Sequence, residues 1–455
     1  MILPTAFTDN MRQTLSVTDY PDFIHALSLP APTSIRIHPV KYNNEHPEKK
    51  VDWCHLGYYL TKRPKFTLDP AFHTGSYYVQ EASSMFLCHV LKQITFRKET
   101  LRILDLCAAP GGKSTLIASW LNNDGLLVSN EVIKNRAYTL KYNILKEGYS
   151  NVLVTNNDPA DFGKLENYFD IILVDAPCSG EGMFRKDPDA VSHWSPENVE
   201  KCSSRQKKIL ADVLPALKDE GHIIYATCTY NDAENIDNIE WCTKTFDLIS
   251  VPIETDPSWH IIEIQRKNKY GYQFYPHKLD GEGFFISLMH KNKESKSTDH
   301  RNKSYVNSLQ HLSKKQETGM KHWVSSEQIT FLTDKMGTVH AINSDLKDEV
   351  QWLNHYLRLI YCGTSAGVFN KDIFKPDHSL ALSLISSKDL ISFELSEKDA
   401  LLFLKKELQY VDTPQTSWIR VTYQGAGLGW IKNLGNRINN YLPAEHRILM
   451  KLEEE

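Results

Sequence analysis

The sequence predicts an α/β protein with a doubly wound, mostly parallel sheet, a small N-terminal α+β domain and a C-terminal extension. Three observations support this. Strand-sized runs alternate with helical segments between residues 100 and 290. Those runs are apolar on both faces, which is typical of a parallel sheet covered by helices on both sides. Small or polar residues follow the strands, and parallel sheets bind ligands beyond the carboxyl ends of their strands.

The elements of this central region follow one another in regular order. Apolar runs predict strands at residues 101–107, 125–130, 152–155, 169–174, 222–227 and 284–289. Helical patterns predict helices at residues 113–121, 133–146, 196–217 and 232–244. Ser195 and Pro196 suit the N-cap and the first position of the third helix. The carboxyl ends of the strands therefore define the edge at which a site is expected.

Composition changes on both sides of the central region. Before it, polar, proline-containing and aromatic stretches alternate, and residues 77–87 predict a helix leading into the sheet. After it, residues 291–320 are rich in Lys, Ser, Asn and Gln, which indicates a linker. We predict an N-terminal domain at 1–98, a central domain at 99–290, a linker at 291–320, and two small domains at 321–390 and 391–455.

Length and composition exclude several classes of protein. The 455 residues are 41% hydrophobic and 24% charged, as in ordinary globular chains. No apolar run approaches the roughly 20 residues that cross a membrane, and residues 1–14 lack the apolar stretch of a secretory signal, so we expect a cytoplasmic protein. The net charge of −4 argues against non-specific coating of nucleic acid. The eight cysteines form no zinc-type cluster, which predicts free thiols and no metal.

Residues 104–114 (LDLCAAPGGKS) have the composition of a cofactor loop between a strand and a helix. Small residues allow a ligand close to the backbone, and the helix start offers free N–H groups. The dinucleotide motif GxGxxG is absent. A phosphate-binding loop is matched only at Gly112, Lys113 and Ser114, because Cys107 stands where its first glycine is required. The third interpretation is a loop around the amino-acid end of S-adenosylmethionine.

Acidic residues after three successive strands favour S-adenosylmethionine. Glu131 follows the second strand, where a carboxylate accepts hydrogen bonds from ribose hydroxyls, although it would serve NAD equally well. Asp158 follows the third strand, in a position to accept from an adenine amino group. Asp175 follows the fourth strand. Any one of these acids could simply lie in a solvent-exposed turn. Acids after three successive strands of one sheet favour a site for a nucleoside.

Two cysteines stand at the ends of two predicted strands, Cys178 in DAPCSG and Cys228 in TCT. A thiolate that adds to C6 of cytosine makes C5 nucleophilic enough to accept a methyl group. Asp175 is the candidate acid near N3. Methylation of an amine or hydroxyl needs no thiol, so two thiols indicate a carbon acceptor. Chemistry leaves open which thiol attacks, and whether both only pack; the Pro-Cys context of DNA cytosine methyltransferases favours Cys178.

These motifs resemble the NOL1/NOP2/Sun family of RNA cytosine-5 methyltransferases. The resemblance rests on residues 78–87 (YVQEASSMFL), 107–113 (CAAPGGK), 175–180 and 227–229, in the family's order, and covers about residues 29–289. Residues 374–382 and 419–443 further resemble the C-terminal extension of the bacterial RsmF (YebU)-type enzymes. The resemblance implies a Rossmann-like class I methyltransferase domain and a terminal PUA-like β-barrel. Its implied substrate is a cytosine of small-subunit (16S) ribosomal RNA, with tRNA as the alternative.

The resemblance also implies roles for individual residues. Cys228 is then the nucleophile, Cys178 resolves the covalent adduct, and Lys186 belongs to a segment that lines the target pocket. The implied cofactor positions are Cys107, Ala108, Ala109, Pro110, Gly111, Gly112, Lys113, Glu131, Arg136, Asp158 and Asp175. We expect a monomer that holds RNA through its N- and C-terminal domains. The competing hypotheses are a non-catalytic RNA-binding assembly factor and an ATPase that uses the Gly-Lys-Ser sequence.

Overall fold

The computed structural model describes residues 2–43, 48–95, 100–292, 309–325 and 328–451. Its first part contains helices and an antiparallel sheet with strand order β2–β3–β1–β4. The helices are α1 (Thr5–Thr14), α2 (Asp19–Ser28), α3 (Pro70–Thr74) and α4 (Leu87–Gln93). The strands are β1 (Thr33–Ile37), β2 (Lys50–Val51), β3 (Cys54–Leu60) and β4 (Tyr77–Val79).

The predicted helix at residues 77–87 is wrong over its first part. Tyr77–Val79 pairs with β1 as an antiparallel strand. Tyr and Val favour strands, and the open edge of β1 provides their hydrogen-bonding partner. A short 3₁₀ helix at Ser83–Phe86 and then α4 follow.

The central region is a ten-stranded mixed sheet flanked by helices. Nine of its strands lie in this region, and the tenth comes from the C-terminal part of the chain. The nine are β5 (Arg102–Asp105), β6 (Leu126–Asn130), β7 (Val152–Thr155), β8 (Phe169–Asp175), β9 (Leu217–Thr227), β10 (Leu248–Val251), β11 (Ile262–Arg266), β12 (Lys269–Phe274) and β13 (Phe284–Lys291). Its helices are α5 (Gly112–Leu121), α6 (Lys134–Glu147), α7 (Pro159–Phe162), α8 (Pro188–His193), α9 (Pro196–Val213) and α10 (Ile236–Thr245).

Five strands of this sheet form the predicted parallel layer, in the order β9–β8–β5–β6–β7. The apolar run at residues 284–289 also becomes a strand, but β13 pairs antiparallel with β9. Because both orientations bury two apolar faces here, hydrophobicity does not distinguish them. The parallel layer brings five strand ends to one edge, which confirms the predicted fold class.

Local signals place the two long helices of this region. Ser195 caps α9 by accepting a hydrogen bond from the Asn198 N–H at 3.2 Å, as predicted. The helix ends at Val213, earlier than expected, since Leu214–Ala216 tightens into a 3₁₀ turn and β9 begins at Leu217. Gly148 ends α6 in the left-handed conformation that glycine adopts without steric cost.

The C-terminal part contains two further sheets. The strands are β14 (Gln310–His311), β15 (Ile329–Thr333), β16 (Thr338–Asn343), β17 (Leu359–Cys362), β18 (Thr364–Asn370), β19 (Ile373–Pro376), β20 (Ser392–Glu394), β21 (Trp418–Tyr423), β22 (Ala426–Asn433) and β23 (Ile438–Asn440). The helices are α11 (Lys314–Met320), α12 (Lys347–Tyr356), α13 (His378–Leu382) and α14 (Glu397–Leu404). β14, β15, β16, β18 and β19 form one sheet, and β20 to β23 form the other.

The predicted linker at 291–320 is structured at its C-terminal end, where β14 and α11 lie and Met320 is buried. Residues 293–308 of that segment lie outside the described residues. Hydrophobic composition alone does not reveal α11, because a Ser313–Gln316 capping box and one buried side chain stabilise it. The predicted domain boundaries stay a prediction.

The segment at 321–390 packs directly on the central sheet. β17 extends the sheet beyond β7 as an antiparallel edge strand. From α12, the Glu349 carboxylate accepts hydrogen bonds from Arg102 at 2.6 Å and from the Tyr168 hydroxyl at 2.7 Å. Trp352 lies against the Tyr168 ring, with centroids 4.8 Å apart. The C-terminal part therefore completes the hydrophobic core of the central domain. None of the described helices combines the length and apolarity needed to cross a membrane.

Candidate active site

The carboxyl ends of the five parallel strands surround a cavity of about 730 Å³. Every predicted site residue except Gly111 lines this cavity, including both cysteines, Asp175 and Lys186. The structure thus brings together side chains that are spread over more than 120 positions of sequence, from 107 to 228. No group of three or more His, Cys, Asp or Glu with metal-binding geometry occurs in the described part of the chain.

Helix α6 holds the loop of residues 107–112 in place. The Arg136 guanidinium donates a hydrogen bond to the Ala109 carbonyl at 2.8 Å, and the Asn143 amide donates to the Pro110 carbonyl at 2.8 Å. Gly111 caps α5 with a φ of 118°, a conformation that other residues rarely adopt. Gly111 therefore shapes the loop without facing the cavity.

Asp105 is a site residue that the sequence interpretation missed. It ends β5 and is fully buried, and its Oδ2 accepts a hydrogen bond from the Ser114 hydroxyl at 2.6 Å. Its Oδ1 has no hydrogen-bonding partner among the residues that the structure describes, although Asp105 lines the cavity. Burial raises the pKa of Asp105 to about 7. One feature of the sequence could have indicated Asp105: it is the only acid in an apolar strand, and the loop of small residues at 107–112 follows directly.

The acids at the next two strand ends occupy different environments. Glu131 is 3% exposed; its Oε1 accepts from the Ile133 N–H at 2.9 Å and its Oε2 lies 3.4 Å from the Arg136 guanidinium. Asp158 caps the short helix α7 by accepting from the Ala160 N–H at 3.0 Å. Helix capping alone would explain why position 158 is an aspartate. Asp158 also lines the cavity together with Glu131, so its carboxylate is available to a ligand.

Two thiols meet on the opposite side of the cavity. The Sγ atoms of Cys178 and Cys228 are 3.1 Å apart, and neither residue is fully buried. The hydrogen bond to the Cys228 sulfur, together with burial, raises the pKa of Cys178 well above its usual value. The Cys178 sulfur also accepts a hydrogen bond from the Cys228 backbone N–H at 3.3 Å. Packing alone does not explain two adjacent thiols on a cavity wall.

Asp175 lies between the cofactor loop and the thiols. Its Oδ2 accepts a hydrogen bond from the Lys113 ammonium at 2.8 Å. Burial acts to lower the pKa of Lys113, but the charge and hydrogen bond of Asp175 together with the nearby Asp105 outweigh it, and the pKa is raised overall. The Gly-Lys-Ser lysine is thus engaged with a carboxylate, which speaks against its use as a phosphate ligand.

Two buried carboxylates join the loops that carry the thiols. Glu181 accepts hydrogen bonds from the Thr229 hydroxyl and from the Tyr230 and Asn231 N–H groups at 2.7 to 3.1 Å. Glu234 accepts from the Ser179 N–H at 3.0 Å. Each carboxylate crosses between the loop after β8 and the loop after β9, and together they fix the separation of the sulfur atoms.

We expect Glu181→Ala to lower the free energy of unfolding by about 3 kcal/mol, because several buried donors lose their acceptor at once. Urea denaturation followed by circular dichroism measures the change. Glu200→Ala, an exposed acid on α9, is the matched control, with an expected change within about 0.5 kcal/mol. If the two variants unfold at the same urea concentration, Glu181 does not hold the loops together.

Lys186 reaches the cavity from the segment after β8. Its ammonium lies 3.5 Å from the carboxylate of Glu282, which is 3% exposed. The Arg185 guanidinium donates to both oxygens of the same carboxylate at 3.2 and 3.1 Å. Glu282 therefore orients Lys186 toward the cavity, a contact that sequence spacing does not reveal because 96 positions separate the two residues.

The mixed sheet and the loop after its first parallel strand define an S-adenosylmethionine-dependent methyltransferase. The chain belongs to the RsmF family of these enzymes. Residues 3–82 match the model for the N-terminal domain of 16S rRNA methyltransferase RsmF, residues 93–290 match 16S rRNA methyltransferase RsmB/F, and residues 391–448 match the methyltransferase RsmF PUA domain.

Individual relatives match along almost the whole chain. The ribosomal RNA small subunit methyltransferase F of Aliivibrio fischeri is 30% identical, over 98% of both chains. The protein of the same name from Shewanella sediminis is 32% identical, over 93% of this chain and 92% of the relative. A solved methyltransferase homologue from Pyrococcus horikoshii is 27% identical with a TM-score of 0.51, covering 64% of this chain and 100% of that one. These matches confirm the resemblance and the methyltransferase fold.

Proposed function

We propose that this protein methylates carbon 5 of a cytosine in small-subunit (16S) ribosomal RNA through a transient bond from Cys228 to C6. The observation that carries the proposal is the pair of sulfur atoms 3.1 Å apart on the wall of the cavity that the cofactor loop also lines. Methylation of a nitrogen or oxygen has no use for this pair, whereas a pyrimidine carbon requires a nucleophile and a means to release it.

The residues of the cavity suit the cofactor. Asp105 Oδ1 is a buried acceptor without a donor, which matches the ammonium of an amino-acid group. Glu131 and Asp158 offer carboxylate oxygens to ribose hydroxyls and an adenine amino group, and the small residues Ala108 and Gly112 allow a ligand close to the backbone. When bound, S-adenosylmethionine supplies a methyl group attached to a positively charged sulfur.

Cys228 and Cys178 act in different steps of the reaction, the first in forming the covalent adduct and the second in resolving it. We assign the attack on C6 to Cys228, as the resemblance to the Sun family implies, and the raised pKa of the Cys178 thiol suits a group that keeps its proton until release. Release then needs a base, such as solvent water in the open cavity, to take the C5 proton. The electron pair of that C–H bond restores the C5–C6 double bond as the Cys228–C6 bond breaks, and the Cys178 thiol gives its proton to the departing Cys228 thiolate. This is the adduct-resolving role that the resemblance to the Sun family implies for Cys178. The short sulfur–sulfur distance lets Cys178 act without a change in the loops.

Asp175 and Lys186 serve the pyrimidine ring. Asp175 is about one-third exposed and lies against Lys113, so its carboxylate is held in one orientation on the cavity wall. We assign it to the N3 edge of the cytosine, where it would relay the proton lost by the Cys228 thiol to N3 as the sulfur adds to C6, so that no net negative charge is left on the ring. Lys186, held by Glu282, contacts the target nucleotide. Both side chains are fixed before the nucleotide enters, so little reorganisation is needed.

The relatives supply the class of substrate. They are named ribosomal RNA small subunit methyltransferase F, and this chain aligns with them from end to end. The target cytosine leaves its stack to enter the cavity, at a cost of a few kcal/mol that is smallest for an unpaired base. The N-terminal domain and the PUA-like domain hold the RNA by shape and backbone contacts. We further propose that the enzyme acts as a cytoplasmic monomer.

We expect Glu131→Gln to weaken binding of S-adenosylhomocysteine by about 10-fold, because a charged acceptor is replaced by a neutral one of the same shape. Isothermal titration calorimetry measures the dissociation constant. Glu166→Gln, an exposed acid that does not line the cavity, is the control and should bind as the unaltered protein does. Equal affinities of the two variants would remove Glu131 from the cofactor site.

Bisulfite sequencing of ribosomal RNA and tRNA tests the proposed function directly. Cells that contain the protein and cells that lack it are compared, and a cytosine of 16S ribosomal RNA should lose its protection from conversion in the deletion strain. Purified protein with tritiated S-adenosylmethionine should restore that mark. Loss of protection only in tRNA would move the substrate to tRNA, and no change in any RNA would contradict the proposal.

A further inference from the structure

Five cationic side chains line the active-site cavity, and they fall into two groups. Lys113, Arg136 and Lys186 each lie within 4 Å of a carboxylate. Arg205 and Lys208, on α9, have no ion pair or hydrogen bond to another side chain in the described residues, and both are exposed. The charge of these two residues is therefore available to an anionic ligand.

Helical geometry extends this charge along one face of α9. At 3.6 residues per turn, positions 201, 205 and 208 lie within about 60° of one another around the helix axis. Lys201 is exposed, so three cations follow one another over about 10 Å. Asp212 continues the same face and also lines the cavity, whereas Glu197 begins it at the N-terminus of the helix. The cations thus occupy the middle of the face, between two acids.

The opposite side of α9 faces the catalytic loop. The Gln206 side chain is buried and donates hydrogen bonds to the Pro177 carbonyl at 3.0 Å and to Glu234 at 2.7 Å. Cys178 follows Pro177 directly. The helix that carries the cations is therefore bonded directly to the loop that carries Cys178, and Arg205 and Lys208 line the same cavity as Cys228.

We propose that Lys201, Arg205 and Lys208 form a docking surface for the RNA backbone next to the inserted nucleotide. The inference rests on the proposed function and adds the path of the strand to it. Three cations on one helix face match successive phosphates, since about 10 Å of a nucleic-acid strand carries at least two of them. Arg205 and Lys208 have no carboxylate partner among the described residues, and Lys201 interacts electrostatically with Glu197 one turn before it. Their side chains contact no base in this arrangement, so the surface positions the strand without selecting its sequence.

Adjacent lysines of α9 provide the test. Lys207 lies about 100° away from Lys208 around the helix and does not line the cavity. Lys208→Glu and Lys207→Glu therefore change composition and net charge identically. We expect Lys208→Glu to raise KM for a 16S ribosomal RNA transcript about fivefold, and Arg205→Glu with Lys208→Glu to raise it more than about 20-fold, with kcat within about twofold. Lys207→Glu should change KM less than about twofold.

Salt dependence and cofactor affinity complete the design. In fluorescence-anisotropy titrations, each lost phosphate contact should reduce the slope of log affinity against log salt by about 0.7. Affinity for S-adenosylhomocysteine should not change. If the unaltered protein methylates RNA but Lys208→Glu and Lys207→Glu have equal KM and equal slopes, the docking surface is wrong and the proposed function stands. If the unaltered protein methylates no RNA, both are overturned.

Discussion

Cys228→Ala is expected to reduce kcat for RNA methylation by more than about 10⁴-fold, as is typical when a covalent nucleophile is removed. The variant retains the cofactor loop and the acids at the strand ends, so its affinity for S-adenosylhomocysteine should equal that of the unaltered protein. Transfer of a tritiated methyl group to 16S ribosomal RNA measures the rate, and calorimetry measures the affinity. A loss of rate with intact cofactor binding separates chemistry from folding.

The control for this variant is Cys242→Ala. Cys242 is a buried cysteine of α10 that does not line the cavity, and its removal should leave kcat within about twofold. The alternative that the Pro-Cys context favoured is also tested. If Cys228→Ala keeps its activity and Cys178→Ala loses all of it, the two thiols exchange roles.

Cys178→Ala is expected to accumulate a covalent enzyme–RNA complex. Cys228 still attacks C6, but the group 3.1 Å away that assists its departure is missing, so the adduct outlives the methyl transfer. Denaturing gel electrophoresis of protein mixed with 16S ribosomal RNA and cofactor should show a slowly migrating band that contains both molecules. Multiple-turnover methylation should fall, although a single methyl group per enzyme is still transferred.

The double variant Cys178→Ala, Cys228→Ala isolates the bond responsible for this band. It should form no complex, because no nucleophile remains in the cavity. Ribonuclease treatment should return the Cys178→Ala band to the mobility of the protein with a short RNA remnant. If the Cys178→Ala variant methylates RNA at the normal multiple-turnover rate and forms no covalent RNA complex, Cys178 has only a packing role.

The C-terminal part packs on the central sheet, so deleting it is not a clean test of whether it binds RNA. Removing everything after residue 291 deletes strand β17 from the sheet edge and the Glu349 contacts of Arg102 and Tyr168. The Arg358 carbonyl also accepts a hydrogen bond from the Asn156 N–H, two positions before Asp158, a residue we propose to bind the cofactor. A truncated chain would lose core packing and cofactor geometry together, so point variants on the surface are the appropriate test.

Sequence patterns are sufficient to predict the class of fold and to place most of the candidate site residues. Alternating apolar strands and helices are local patterns, and a parallel sheet places the ends of its strands at one edge, so small residues, acids and cysteines that follow strands had to meet. That reasoning located Glu131, Asp158, Asp175, Cys178 and Cys228 on one cavity. The 3.1 Å separation of the two sulfur atoms required coordinates.

Contacts between segments that are distant in sequence became visible only in the folded chain. Asp105 became a site residue through burial without a partner for Oδ1, and Glu282 became the partner of Lys186 through a fold that joins positions 96 apart. The antiparallel direction of β13 and the attachment of β17 also depend on pairing between remote strands. Hydrophobic periodicity records which face of a segment is buried, but it carries no information about which other segment buries it.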